Sequence, residues 1–264
     1  MLSVQDVQIT FNPGTPIETR ALRGVSLDIA GGQFVTVIGS NGAGKSTLLN
    51  AVSGELDIDS GSVNIDNVDV TSQSVWQRAT RVARVFQDPM AGTCEDLTIE
   101  ENMALAAGRG LPRGLRKAVR HDMRDEFRER LATLGLGLEN RLTDRIGLLS
   151  GGQRQAVSLL MASLRPSRIL LLDEHTAALD PRTAEFVLDL TRTIVADHAL
   201  TTMMVTHSMK QALEVGERTI MLHQGNIVLD VAGSERSGMQ VSDLLDRFER
   251  NQGVTLADDS LLLG

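Results

Sequence analysis

The sequence predicts an α/β fold: a mixed sheet core, an antiparallel β subdomain and an inserted α-helical subdomain. Three observations lead there. Beyond residue 149, strand-length apolar runs alternate with helix-length segments, the mark of a sheet with helices on both faces. A glycine-rich loop, Gly39-Ser40-Asn41-Gly42-Ala43-Gly44-Lys45-Ser46-Thr47, follows one strand and opens a helix. The run Ile169-Leu170-Leu171-Leu172 has no polar break and ends in Asp173-Glu174, as expected of a parallel strand buried on both faces.

Taken in order, Val25 to Ile29 alternates cleanly and Leu2 to Phe11 loosely, as in half-buried antiparallel strands. Phe34 to Ile38 reads as the strand feeding the glycine loop, and Lys45 to Val52 as the helix behind it, stopped by Gly54. A strand from Ser62 to Val70 follows the Ser60-Gly61 turn. Arg84 to Phe86 is a short strand that breaks at Gln87-Asp88-Pro89. From there to about Leu149 the pattern turns helical, with Val119, Met123, Phe127, Leu131 and Leu134 forming one apolar stripe. Then follow helix Gln153 to Leu164, strand Ile169 to Leu172, helix Thr183 to Ala196 and strand Thr202 to Val205. Strands Thr219 to Leu222 and Ile227 to Val231 flank the turn Gln224-Gly225-Asn226, and a helix from Val241 to Glu249 precedes a polar tail. The expected organisation is one domain over residues 1–232, with a helical insertion at about 88–155, and a short C-terminal helix and tail over 233–264.

Composition narrows the function classes. The chain has 264 residues, is 42% hydrophobic and carries a net charge of −8, which suits a globular core and argues against a nucleic-acid partner. A lone cysteine, Cys94, forms no internal disulfide and points to a reducing compartment. No apolar stretch approaches the roughly 18 residues of a membrane span, and no leader precedes the first strand. The chain is therefore expected to be soluble, with any link to a membrane running through partners.

The glycine loop fits the pattern G-x-x-x-x-G-K-[ST]. Gly42 and Gly44 admit positive φ and close approach of backbone to a phosphate. The amides of roughly Asn41 to Thr47 converge on a helix N-terminus, which favours anions. Lys45 is expected to reach the β- and γ-phosphates of ATP, the Ser46 hydroxyl to ligate Mg²⁺, and Thr47 to touch the α-phosphate. Lysine occurs at only two other positions in a chain otherwise rich in arginine, so its place here is informative. A compact ammonium fits among wrapped amides where a flat guanidinium does not. Asp173 and Glu174 emerge at the C-terminal end of a parallel strand, where such sheets place ligands. Asp173 is assigned to the Mg²⁺ shell and Glu174 to polarising the attacking water. A second anion site is offered by Ser150-Gly151-Gly152, a hydroxyl and amides opening a helix.

This constellation resembles the ATP-binding cassette (ABC) family, a P-loop NTPase fold whose signature, Leu149-Ser150-Gly151-Gly152-Gln153, stands shortly before such a strand and acid pair. The resemblance runs over residues 1 to about 232. It implies that Phe11 stacks on adenine, that Gln87 touches Mg²⁺ and couples the site to a transmembrane partner, and that Ala178-Leu179-Asp180 crosses to an opposite subunit. His207 would sense the γ-phosphate. Two cassettes would pack head to tail, most simply as a homodimer, with each ATP between Lys45 of one and Ser150 of the other. The residue after Glu174 is commonly proline in the family but is His175 here; it reads as a loop residue beside the site, with a sharper alternative in which it adjusts Glu174 or positions water. The string Asp173 to Pro181 resembles a tryptophan/tyrosine-type uptake subgroup.

What the resemblance implies is the ATPase subunit of a bacterial importer of a small organic solute, an amino acid or similar. It would sit on the cytoplasmic face of the membrane through permease subunits fed by an extracytoplasmic solute-binding protein. The competing reading is a soluble ABC-type ATPase acting on nucleic acid or ribosomes. The basic run Arg109, Arg113, Arg116, Lys117 and Arg120 is expected to be solvated or to face lipid headgroups or permease loops.

Overall fold

The structure is a computed structural model that describes residues 1–112 and 118–252, with side chains to Glu249. Its contacts divide the chain into two units, Met1–Arg78 together with everything from Ala199 onward, and Ala79–His198. The first unit begins with β1 (Leu2–Phe11) and β2 (Thr19–Ile29), paired antiparallel. Alternation in β1 is loose because its register shifts between Val4 and Val7, where Asp6 takes φ 47°. β3 (Phe34–Ile38) is buried at every residue and leads through the glycine loop into α1 (Lys45–Ser53). The expected strand from Ser62 to Val70 is instead two, β4 (Ser60–Ile65) and β5 (Val68–Asp69). Asp66 and Asn67 both adopt positive φ, 51° and 62°, making the two-residue turn that an antiparallel pair prefers. The antiparallel sheet runs β2-β1-β4-β5.

After β5 a single turn, α2 (Val75–Arg78), delivers a buried arginine to the end of α1. Arg78 is 2% exposed and donates to the carbonyls of Ala51 (2.6 Å) and Val52 (3.0 Å), and to those of Thr71 and Gln73. A guanidinium supplies what the last carbonyls of a helix lack and complements the negative end of its dipole. Gly54, the C-cap at φ 81°, leaves room for it: a Cβ there would stand 2.9 Å from Arg78 Nε.

The second unit contains the parallel pair β6 (Val82–Val85) and β7 (Ile169–Asp173). Between them lie α3 (Ile99–Ala107), α4 (His121–Ala132) and α5 (Gly151–Ser163), and α6 (Pro181–His198) follows β7. Thr98 and Glu101 form a capping box on α3. The expected stripe packs as one cluster: Phe127, Leu131 and Leu134 are buried with Ile99, Met103, Leu138 and Ile146, and with Ala156, Val157 and Leu160 of α5, while Val119 and Met123 pack at its margin. Arg124 of α4 grips Glu100 of α3 with two hydrogen bonds of 2.7 Å. The basic run is not a uniform solvated face. Arg109 turns inward to the Ala162 and Arg165 carbonyls at the end of α5, and Arg120 pairs with Asp122. Arg113, Arg116 and Lys117 lie outside the described residues.

The chain returns to the first unit with β8 (Thr201–Val205), α7 (Met209–Val215), β9 (Arg218–His223), β10 (Asn226–Ala232), α8 (Gly233–Arg236) and α9 (Val241–Gln252). β3 lies parallel between β8 and β9, and β10 closes antiparallel on β9, so these strands form a mixed sheet. Leu244 and Phe248 of α9 are buried with Ile38, Met221, Leu229 and Val231, each contributing about 1.5–3 kcal/mol. The C-terminal helix is thus part of this unit's core. No helix among the described residues is long and apolar enough to cross a membrane.

One buried group ties stability to pH. Burial pushes the His175 pKa down to about 4, against roughly 6.5 in an unfolded chain. Between those values the unfolded chain binds a proton that the folded one does not. Stability therefore falls as pH drops through this window, by about 3 kcal/mol in all. In Mg²⁺-free denaturant titrations, His175→Gln should lose visibly less stability than the wild type between pH 6.5 and 4.5; parallel losses would contradict this.

Candidate functional site

In the first unit the glycine loop is shaped by close approaches that forbid a side chain. At Gly39, φ 148°, a Cβ would stand 2.2 Å from the Leu222 carbonyl oxygen; at Gly44, φ 103°, it would stand 2.5 Å from that of Ala21. Ala43 donates to Ser40 at 3.1 Å and accepts from Gly225 at 3.0 Å, so the β9–β10 turn holds the loop from outside. Gly42, φ 76°, meets nothing within 4 Å; its requirement is conformational. Asn41, Gly42 and Ser46 are exposed and Thr47 half-buried, while the Lys45 ammonium lies inside the loop, 2.6 Å from the Gly39 carbonyl and 3.1 Å from that of Ser40. No side chain caps α1 and no acid stands in its first turn, in contrast to the capping boxes of α3 and α5. The loop thus presents a bare positive helix end and a fixed cation, the environment a phosphate needs.

Topology places His207 nearby in kind. β8 pairs parallel with β3 through Val37 and Val205, so Thr206-His207 leave the same end of the sheet as the glycine loop. The Thr206 hydroxyl accepts from Ser208 and donates to Gln211, and Ser208 caps α7, which fixes the turn carrying His207. Phe11 ends β1 and is 37% exposed, on the surface rather than in the core.

In the second unit, β6 and β7 run parallel and end together, which puts Gln87, Asp173 and Glu174 at one edge. Asp173 is 9% exposed, and its Oδ2 accepts from Arg84 at 2.7 Å. That guanidinium, stacked 4.7 Å from the centroid of Phe86, offsets the cost of burying the carboxylate. Glu174 sits at φ 41°, a region that glycine prefers. Gln87 is exposed, and the segment before it is held by Gln155 of α5, which donates to the Phe86 carbonyl at 3.0 Å.

The second glycine motif is a helix start. Ser150 caps α5: its Oγ accepts from the Gln153 N–H at 3.3 Å, and the Gln153 side chain accepts from the Ser150 N–H at 3.2 Å. Accepting there leaves the Ser150 hydroxyl proton to be donated outward. Gly151 is exposed, but Gly152 is glycine for packing, since a Cβ would stand 2.0 Å from Thr183 Cγ2. Asp180 caps α6 by accepting from the same Thr183, whose hydrogen bonds hold its carboxyl below the usual range. Thr183 therefore lies against both Gly152 and Asp180. Arg84 and Gln155 went unread in the sequence, because they act on partners 89 and 69 positions away that no local pattern announces.

Comparison with known proteins identifies the family. The profile of the family described as ABC transporter matches residues 22–177. A tyrosine transport ATP-binding protein of Clostridioides difficile is 44% identical over 94% of this chain and 99% of its own. An aliphatic sulfonates import ATP-binding protein of Agrobacterium fabrum is 36% identical over 81% of this chain and 74% of its own. Among solved structures, a dimeric ATP-binding cassette in a post-hydrolysis state with ADP and phosphate superposes with a TM-score of 0.74 at 30% identity, covering 88% of this chain and 98% of that one. The chain belongs to the ABC transporter family and is an ATP-binding, ATP-hydrolysing cassette.

Proposed function

We propose that this protein is the ATPase subunit of a bacterial importer, working as a homodimer on the cytoplasmic face of the membrane and driving uptake of an amino acid or similar small solute. The observation that carries the reading is the uncapped start of α1 with Lys45 held inside the glycine loop. Phe11 stacks on adenine, the amides from Ser40 to Thr47 with Ala43 and Gly44 wrap the phosphates, and Lys45 trades its loop carbonyls for the β- and γ-phosphates. Ser150, Gly151, Gly152 and Gln153 of the opposite subunit close over the γ-phosphate, with Asp180 in the loop that crosses between subunits. Gln153 contributes by keeping the Ser150 hydroxyl oriented.

Ser46, Asp173 and Gln87 offer a hydroxyl, a carboxylate and an amide carbonyl, an all-oxygen set that suits Mg²⁺. Such an ion would neutralise phosphate charge. Arg84 orients Asp173 toward that duty. Glu174 polarises the attacking water, and His207 senses the γ-phosphate. Sequestered from bulk solvent by dimer closure, these groups favour hydrolysis, after which the dimer reopens and resets the permease.

A cleft of about 290 Å³ in the second unit, with Arg84, Phe86, Asn102 and Leu105 among its walls, adjoins the Gln87 segment and suits a membrane subunit's cytoplasmic loop. The names of the relatives, tyrosine transport and sulfonate import, support uptake of a small solute. An extracytoplasmic solute-binding protein would then deliver the solute to the permease.

Glu174→Gln should lower kcat by about a hundredfold or more while MgATP still binds and shifts the protein from monomer to dimer in size-exclusion chromatography. Undiminished hydrolysis, or a strict monomer with saturating MgATP, would contradict the reading. Purified from membranes in detergent, the protein should bring down a multi-span subunit, and in proteoliposomes an aromatic amino acid on the receptor side should stimulate hydrolysis. Stimulation by RNA or DNA in the absence of any membrane subunit would instead favour the soluble alternative.

A further inference from the structure

His175 follows the acid pair directly, and nothing in the site above uses it. Its ring is 2% exposed, and Nε2 lies 3.0 Å from Oγ1 of Thr191, a fully buried residue of α6. A hydroxyl has one proton to give, and Thr191 donates its own to the Val187 carbonyl at 2.7 Å. Thr191 Oγ1 therefore accepts from the ring, so Nε2 carries the imidazole proton and Nδ1 the lone pair. A backbone carbonyl in α6 thus sets the tautomer, and the ring faces the interior of its unit, not the reacting water.

The second observation is the backbone of Glu174. Its φ of 41° lies in the left-handed region, and Glu lacks the short side chain with which Asp66 and Asn67 ease the same conformation. The Glu174 carbonyl accepts from Ala177 N–H at 2.9 Å, so this residue opens a tight turn whose second member is His175. A sparsely populated conformation persists only where its surroundings enforce it. Here the turn is closed by Ala177 and anchored by the imidazole to α6.

We propose that His175 is a positioning residue for Glu174: hydrogen-bonded through Nε2 to Thr191, its ring clamps the turn to α6 and holds Glu174 in the left-handed conformation that aims its carboxylate. The inference deepens the proposed function and rests on Glu174 acting on the water. It differs from the reading in which His175 adjusts Glu174 or positions water, since a ring bonded to Thr191 in the interior works mechanically.

The test is steady-state ATP hydrolysis by the full-length protein carrying His175→Leu, His175→Gln, Thr191→Val or Thr191→Ser, with the Leu/Val double variant. Leucine fills the space without a donor, and valine matches threonine without the hydroxyl. Both should lower kcat about tenfold with KM for ATP within about twofold of wild type. The double variant should be no worse than either alone, because both remove one interaction. Glutamine and serine restore a donor or an acceptor and should recover at least about half of kcat. Wild-type kcat in folded His175→Leu and Thr191→Val, a loss in KM alone, or additive losses would each overturn the proposal. If His175→Leu fails to fold by circular dichroism, the near-isosteric Thr191→Val and its serine control decide it by the same criteria. Glu174→Gln separates the two levels: if it abolishes turnover while Thr191→Val leaves kcat intact, only the positioning role fails.

Discussion

The first unit depends on how closely one stretch of backbone can approach another at the glycine loop. The glycine loop runs within van der Waals distance of the carbonyls of Leu222 and Ala21, and any Cβ at Gly39 or Gly44 would collide with one of them. Only that path points the start of α1 and the Lys45 ammonium inward together. The rest of the first unit supports the path. β3 is buried along its length between two parallel neighbours, the β9–β10 turn holds Ala43, and Arg78 secures the far end of α1. The loop's shape is a property of backbone geometry, with one charge added.

The second unit solves a different problem, that of holding two adjacent acids at a strand end, one buried and one half-buried. Asp173 sits at the end of an apolar strand and is tolerated because Arg84 stands against it. Glu174, the next residue, is turned by a left-handed backbone and a buried imidazole anchor. Two adjacent carboxylates thus receive different surroundings, one electrostatic and one mechanical. The signature residues show comparable economy. Ser150 and Gln153 satisfy each other at the start of α5 while Ser150 stays exposed.

Much of the fold was legible because its signals are local. The strand-length segment Phe34 to Ile38 and the unbroken apolar run Ile169 to Leu172 are strands in the structure, and the glycine loop opens a helix as its pattern requires. The stripe from Val119 to Leu134 packs as one cluster although the helix itself spans only His121–Ala132. Other features were written locally yet passed over: Asp66-Asn67 is a hairpin turn, and Thr98 with Glu101 is a capping box. The site was legible as a set of residue types, and less so as a set of supports. Arg78, Arg84, Gln155 and the His175–Thr191 pair join positions that only the folded chain brings together. Arg109 shows the converse, a charge that looked solvated in a basic run and turns inward to cap a helix.

The most direct test of the backbone argument adds a single methyl group. Gly44→Ala places a Cβ against the Ala21 carbonyl and demands a φ that alanine resists. Isothermal titration of the folded variant with MgATP should show binding weaker by about a hundredfold, on the order of 2.7 kcal/mol. Wild-type affinity in Gly44→Ala would mean that the close approach of backbone to phosphate is not what holds the nucleotide.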